Sequence, residues 1–189
     1  MKLSAKVLLT VLFISTQSYL FAQTEAEQKA WMNYMTPGSV HEMISKSDGD
    51  WTGETTMWMT PGAPPIKSTT TSSNKMILGG RYQYSTHTGS MFGMPFEGIN
   101  ILAYDNAKKI FKSTWLDNFG TGLMNLEGTW DEATKTINLR GTAVDPMTGK
   151  DNDVRETFRI IDDRNQFLEM FMTVDGKEFK TMEIAYTKK

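Results

Sequence analysis

The chain has 189 residues, with 20 basic and 22 acidic side chains, a formal net charge of −2 and no cysteine. This near balance of charge does not favour binding to nucleic acid or to an anionic membrane. The absence of cysteine excludes thiol nucleophiles, thiolate metal sites and disulfide scaffolds. The length suits one domain with its own hydrophobic core.

The first 22 residues have the layout of a secretory signal peptide. Lys2 and Lys6 form a basic start, residues 7–14 are almost wholly apolar, and small or polar residues lead to Ala22. The apolar part is too short to cross a hydrocarbon layer of about 30 Å as a helix. We therefore predict cleavage after Ala22 and a periplasmic or secreted product with no integral membrane segment. Losing the two lysines would change the net charge from −2 to −4.

Residues 23–47 are predicted to form a short helical segment. Thr24 and Glu27 have the spacing of a capping box, and Ser39 and Glu42 repeat that spacing after a Pro-Gly pair. Two short helices should therefore precede the main domain, which we place at residues 48–189.

From residue 48 onward, short segments rich in Thr, Val, Ile and aromatic residues alternate with turn residues. The predicted strands are 50–58, 66–77, 81–88, 96–105, 109–117, 122–130, 135–143, 152–161, 166–173 and 178–187. Asp175-Gly176 suits a two-residue hairpin. About ten antiparallel strands hide their edges most completely in a closed barrel, and a sandwich is the alternative. The strand over 96–105 is apolar on both faces, so we expect the N-terminal helices to cover it.

Several short motifs together resemble the bacterial DUF1579 family of unknown function, over about His41 to Tyr186. The resemblance implies a single antiparallel lipocalin-like (calycin) β-barrel and no established activity. In chain order the motifs are Gly49-Asp50-Trp51-Thr52-Gly53, Leu78-Gly79-Gly80-Arg81-Tyr82, Pro95-Phe96-Glu97-Gly98, Tyr104-Asp105-Asn106, Trp115-x-Asp117, Gly128-Thr129-Trp130 and Asp175-Gly176-Lys177-Glu178-Phe179.

Gly49-x-Trp51 is similar to the G-x-W that begins the first strand of lipocalins. There the Trp closes one end of the barrel beside a basic residue of the last strand, for which Lys188 is the candidate here. A large flat side chain can fill the narrow end while a cation lies over its face. This structural role is favoured over ligand contact for Trp51.

The chain has two histidines, His41 and His87. On the third predicted strand, Arg81 and His87 share one polar face. If that face is interior, both would reach into a polar pocket; polar alternation more often indicates a face in contact with solvent. The similar nitrobindin barrels hold haem through a histidine, but no histidine lies in the final strands here. We therefore expect no haem, no other cofactor and no metal site.

Five carboxylates on the predicted strands are candidates for acid–base chemistry, although nothing in their spacing shows which of them face each other. They are Glu97, Asp117, Glu127, Glu156 and Glu183. Surface charge is the more common role of such residues. A small hydrolase or isomerase that uses acidic residues within the barrel is therefore one hypothesis.

The favoured hypothesis is a barrel that binds a small, partly hydrophobic molecule. Trp115 shares a strand face with Asp117 and should line the cavity, while Arg81 would pair with an anionic part of the ligand or with Asp117. The strands carry many methionines, whose flexible side chains suit an adaptable cavity, and residues 88–96 are predicted to form an apolar loop at the mouth. A third hypothesis is a filled barrel that acts through its surface. The sequence does not indicate the oligomeric state.

Overall fold

The structure is a computed structural model, and it describes residues 24–189. The predicted signal peptide lies outside these residues. The chain divides after Thr36 into two compact units, of which the second comprises Pro37–Lys189. In the first, helix α1 (Glu25–Met35) has Thr24 as its N-cap, and the Thr24 hydroxyl accepts a hydrogen bond from the backbone N–H of Glu27 at 3.2 Å. The Glu27 carboxylate accepts from the Thr24 N–H in return, so this predicted capping box is confirmed.

Helix α2 (Ser39–Ser45) begins one residue earlier than the sequence suggests. Its N-cap is Gly38, so Ser39 lies inside the helix and the predicted Ser39–Glu42 capping box does not form. The His41 Nδ1 atom instead accepts a hydrogen bond from the Gly38 N–H at 3.1 Å. A histidine at this position thus performs the task that the pattern assigned to Glu42.

Ten antiparallel strands form one closed barrel in which each strand pairs with its neighbours in the chain and the last pairs with the first. This confirms the predicted lipocalin-like architecture and removes the sandwich alternative. The strands are β1 (Gly49–Met57), β2 (Ile66–Ile77), β3 (Tyr82–Met91), β4 (Met94–Asp105), β5 (Ile110–Asp117), β6 (Met124–Asp131), β7 (Thr136–Val144), β8 (Asp151–Ile160), β9 (Asn165–Val174) and β10 (Lys177–Lys188).

The predicted apolar loop over residues 88–96 is mostly strand. Strands β3 and β4 continue their pairing to Met91 and Met94, which leaves only Phe92 and Gly93 at the turn, with φ of 54° and 75°. Positive φ at both turn residues matches the right-handed twist of a hairpin, so the strands extend to the tip. The predicted Asp175-Gly176 hairpin uses the same geometry, with φ of 52° and 73°.

One end of the barrel is closed by α2 and by a hydrophobic core. Ile44 of α2 packs there with buried side chains of strands β5 to β8, namely Phe111, Leu126, Ile137, Leu139 and Val154. The ring of His41 meets the ring of Tyr104 edge-on at 5.9 Å. Tyr104 lies on the inward face of β4, so the contact of α2 with this strand is on its inner side.

Within residues 24–189, neither helix has the length and apolar character that a membrane-spanning helix requires.

Candidate functional site

Trp51 forms the floor of the barrel interior. Its side chain is 1% exposed, and its indole N–H donates a hydrogen bond to the Ser47 carbonyl at 2.9 Å. Lys188, opposite Trp51 in the β1–β10 ladder, places its Nζ atom 5.4 Å from the ring centroid. This is the predicted plug with its predicted cation partner. Trp51 also lines the cavity above it.

Polar side chains from three strands bind the last turn of α2, and the segment between α2 and β1, to this floor. The Asn74 amide donates to the Ser47 carbonyl at 3.0 Å, and the Gln166 amide donates to the Ser47 hydroxyl at 2.7 Å. The Gln83 amide donates to the Ile44 carbonyl and to the Asp48 carboxylate, each at 3.0 Å. These polar residues point inward because a non-helical segment closes the barrel and its polar groups need partners.

Two adjacent cavities occupy the barrel above Trp51. The inner cavity has a volume of about 70 Å³ and is lined on its polar side by Ser72, Asn74, Gln83, Ser85 and Gln166. The outer cavity has a volume of about 110 Å³ and is lined on its apolar side by Met91, Phe96, Trp115, Met124, Met170, Met182 and Ile184. Six residues line both cavities, so the two spaces lie side by side: His87, Asn100, Ser113, Glu156, Leu168 and Tyr186.

Glu156 on β8 is a buried acid at the junction of the two cavities. It is 8% exposed and lines both cavities. Burial raises its pKa from 4.5 to about 7, because a charged carboxylate loses its hydration there. Burial also raises the pKa of the nearby Tyr186 hydroxyl, and the charge of Glu156 adds to that effect.

His87 on β3 faces the same junction. Its Nε2 atom is buried and has no hydrogen-bond partner within the described part of the chain. Burial lowers the pKa of His87 from 6.5 to about 4, so its ring is neutral at neutral pH. The favoured prediction that this face of β3 meets solvent is therefore wrong. Gln83, Ser85 and His87 all face inward, because the floor segment and the cavity use their polar groups.

A series of aromatic rings runs from His87 to the mouth of the barrel. The His87 ring lies 5.1 Å from the Trp115 ring, which stacks on Phe96 at 6.2 Å. Phe96 contacts Phe119 at 5.9 Å, and Phe119 contacts Phe92 at 6.5 Å. Phe92 and Phe119 are 50% and 41% exposed. The rings therefore form a continuous apolar wall between the junction and solvent.

Trp115 and Asp117 act as a pair at this wall. The Trp115 indole N–H donates to the Asp117 carboxylate at 2.7 Å, and the same carboxylate accepts from the Phe119 backbone N–H at 2.9 Å. Gly98 makes room for the indole, since a Cβ atom there would lie 2.6 Å from the ring. Trp115 lines the outer cavity as predicted, and Asp117 orients it from the rim.

Arg81 does not reach the cavities. It is exposed in the turn before β3, where its guanidinium donates to the Leu78 carbonyl at 3.0 Å. The residues before it, Leu78, Gly79 and Gly80, all have positive φ, so the chain is still turning at Arg81 and the alternation of β3 begins at Tyr82. The expected position of Arg81 beside His87 is therefore wrong, and ligand contact by Arg81 stays a prediction without support from the geometry.

The other candidate carboxylates lie away from Glu156. Glu97 is exposed, Glu127 forms an exposed ion pair with Lys112 at 3.7 Å, and Glu183 pairs with Lys180 at 3.0 Å. Of the five candidates, Glu156 lines the cavities. A paired-carboxylate site is thus not formed by these residues. Nor does any cluster of three or more potential metal-ligating side chains occur between residues 24 and 189.

The sequence identified Glu156 as one of five candidate acids but did not separate it from the other four. It did not find the roles of Asn74 or Gln166. The available signal was the period-two alternation of the strands, which shows which residues share a face. It does not show that a segment closes the barrel and that polar side chains turn inward to bind it.

The sequence from residue 36 to residue 188 matches the model of a family described as a protein of unknown function, DUF1579. The chain belongs to the DUF1579 family. No match to this DUF1579 protein was found among the curated proteins.

Solved structures share the barrel of this DUF1579 protein. The crystal structure of Rv2717c from M. tuberculosis is similar with a TM-score of 0.62 and 14% identity, over 82% of this chain and 99% of that chain. The S-type phycobiliprotein lyase CPES from Guillardia theta is similar with a TM-score of 0.56 and 13% identity, over 80% of this chain and 93% of that one. Identities this low show a shared fold and do not transfer an activity.

Proposed function

We propose that the barrel binds a small, partly hydrophobic molecule in its two cavities. The observation that carries this proposal is the buried His87 Nε2 atom, which has no hydrogen-bond partner in the described part of the chain and faces cavities that the Glu156 carboxyl group also lines. Buried polar groups in folded proteins nearly always have hydrogen-bond partners, because an unsatisfied group costs about 1 to 3 kcal/mol. A bound molecule that hydrogen-bonds to these groups would offset that cost.

The outer cavity would supply most of the affinity. Its methionine, aromatic and aliphatic side chains bury apolar surface at about 25 cal/mol per Å². Flexible methionines can adapt to the shape of a guest. The aromatic wall from Phe92 to Trp115 gives an apolar entry route from solvent.

Native mass spectrometry of the protein purified from its own host tests this proposal. A small molecule should co-purify with wild type and should be lost after unfolding and refolding. Ser85→Leu adds volume inside the inner cavity and should reduce the retained molecule, whereas Ser73→Leu, on an exposed position of β2, should not. Wild-type protein that carries only water, and whose thermal stability responds to none of a panel of small amphiphiles, would contradict binding.

Two further variants test the individual site residues once a bound molecule is identified. Trp115→Leu should weaken its binding, because it removes aromatic surface from the outer cavity. Arg81→Met tests the sequence-based assignment of Arg81. Its exposed position leads us to expect unchanged affinity in calorimetric titration, whereas weaker binding would support the original assignment.

Export to the periplasm or the medium is part of the proposal. The basic, apolar and small-residue order of residues 1–22 supports it. The mature protein from the native host should begin at or near Gln23 in N-terminal sequencing. An exported protein that retains residues 1–22 would contradict cleavage.

A second candidate function is proton-transfer catalysis, such as isomerisation or hydrolysis, with Glu156 as the acid or base. A pKa of about 7 in a cavity suits that role, since efficient proton transfer needs a pKa near the working pH. The co-purified molecule separates the two functions. An enzyme would convert fresh molecule into product over many turnovers, and a binding protein would return it unchanged. The surface-only hypothesis required a packed interior, which the two cavities do not provide.

A further inference from the structure

We infer that the barrel selects molecules with a compact cationic head group, such as a protonated primary amine, held against Glu156 with the apolar part toward the mouth. This inference rests on the proposed binding function and specifies its ligand class.

The charge of the cavity carries the first step. Among the described residues that line the two cavities, the titratable groups are Glu156, His87 and Tyr186, and none is a lysine or arginine. Lys188 lies at the closed end, on the ring of Trp51, with its Nζ atom donating to the Lys46 carbonyl at 3.2 Å. A buried acid without a cation inside the cavity is complementary to a cation brought by the ligand.

The neighbours of Glu156 carry the second step. Across the sheet it lies between Leu139 on β7 and Met170 on β9, which offer neither charge nor a side-chain hydrogen-bond donor. Tyr186 and His87 are the titratable groups that face it across the cavity. At neutral pH both are uncharged, because burial raises the pKa of Tyr186 and lowers that of His87. An anionic head group would therefore meet Glu156 with no opposing positive charge, whereas an ammonium group would neutralise it.

The shape of the cavity carries the third step, which is the orientation. The inner cavity, at about 70 Å³, is lined by hydroxyl and amide side chains such as Ser72, Ser85 and Gln83, so it suits a small hydrogen-bonding group. The outer cavity, at about 110 Å³, has an apolar lining that includes Trp115 and Met182. Glu156 borders both. A ligand that enters head first would place its charge at Glu156 and its apolar part among the outer residues.

A matched series of hexylamine, hexanoate and hexanol tests the inference by isothermal titration calorimetry at pH 8. Hexylamine should bind at least tenfold more tightly than hexanoate, because a charge-assisted hydrogen bond replaces like-charge repulsion. Glu156→Gln should bring the two affinities within about twofold and should leave hexanol nearly unchanged. Glu54→Gln makes the same chemical change at an exposed position of β1 and should retain the preference for the amine.

Proton linkage provides a second measurement on wild type alone, which does not depend on the folding of a variant. Near pH 7, a bound ammonium should lower the pKa of Glu156, so hexylamine should release a fraction of a proton and bind more tightly as pH rises. Hexanoate should take up a proton and bind more weakly as pH rises. Titrations in buffers of different ionisation enthalpy measure this exchange.

The outcomes distinguish the inference from the proposed function. Equal or tighter binding of hexanol or hexanoate, or an amine preference that survives Glu156→Gln, would overturn the cationic ligand class and leave cavity binding intact. Proton uptake by hexylamine would overturn it as well. If none of the three compounds binds and no molecule co-purifies with the native protein, the binding function itself fails and the inference fails with it.

Discussion

Replacement of Glu156 by glutamine should change how the stability of the ligand-free protein depends on pH. Glu156 has a folded-state pKa of about 7 against an unfolded value of 4.5. The folded state therefore holds a proton that the unfolded state has released between these pH values. The contribution that such a group makes to the stability of the folded state is fully present below pH 4.5 and is lost as pH rises through 7. Glutamine keeps the shape of the protonated acid and has no such proton.

The size of the effect follows from the two pKa values. Each pH unit between them costs the wild type up to about 1.4 kcal/mol, and integration from pH 5 to pH 8 gives a loss of about 2 to 3 kcal/mol. The Gln variant has no ionisable group at position 156 and should not undergo this loss of stability. The free energy of unfolding of Glu156→Gln, relative to wild type, should thus rise by about 2 to 3 kcal/mol over this interval.

Urea denaturation at pH 5, 6, 7 and 8 measures this difference, with protein refolded from denaturant so that no bound molecule remains. Titration of His87 affects wild type and variant alike and largely cancels in the comparison. Glu54→Gln, exposed on β1, should follow the wild-type profile. Parallel profiles for Glu156→Gln and wild type would refute the reasoning, since they would mean that the Glu156 carboxyl group ionises in the folded protein as readily as in the unfolded chain.

Four other substitutions follow from the same geometry. Between pH 7 and pH 4 the wild type should lose about 2 to 3 kcal/mol in the free energy of unfolding, because the folded state disfavours the protonated His87 ring, and His87→Gln should abolish this loss. Equal acid sensitivity of wild type and variant in denaturation experiments would contradict this. Trp51→Ala should cost about 3 to 5 kcal/mol in urea denaturation, and Lys188→Met, which removes only the cation over the ring, about 1 kcal/mol. Unchanged melting of Trp51→Ala would exclude its role as a floor. Gly98→Ala should destabilise the protein by about 1 to 3 kcal/mol and shift the tryptophan fluorescence, because its methyl would meet the Trp115 ring at 2.6 Å. Most of this loss of stability should vanish in a Trp115→Leu background. A loss that persists there would locate the strain elsewhere.

Much of the fold is local in origin and was therefore predictable. The period-two pattern of β6, where Leu126 faces inward between polar neighbours, and the turn chemistry of Asp175-Gly176 are properties of a few adjacent residues. The number of antiparallel strands and their need to hide their edges favoured closure into a barrel over a sandwich. The contact of Trp51 with Lys188 was anticipated because a resemblance to lipocalins paired the first strand with the last.

The boundaries that were wrong reflect interactions that a linear pattern does not show. The hairpin at Phe92 extends further than expected because Phe92 itself adopts positive φ, which is uncommon outside glycine and asparagine. The N-cap of helix α2 is Gly38 rather than Ser39, because a histidine ring accepts the hydrogen bond of the Gly38 N–H, a device outside the usual capping pattern.

The sequence by itself determined the strand count, the antiparallel pairing, the floor residue Trp51 and the inward position of Trp115, because each depends on alternation, turns or a short motif. The tertiary structure decided that the sheet closes into a barrel rather than a sandwich. Only the tertiary structure decided which polar face of β3 is interior and which acid of the five lies in the cavity. Those properties depend on side chains far apart in sequence: Gln166 meets Ser47 across 119 positions. The pKa of Glu156 likewise depends on its removal from water by residues of other strands. Burial is a property of the closed barrel, so the same glutamate would be an ordinary acid in the extended chain.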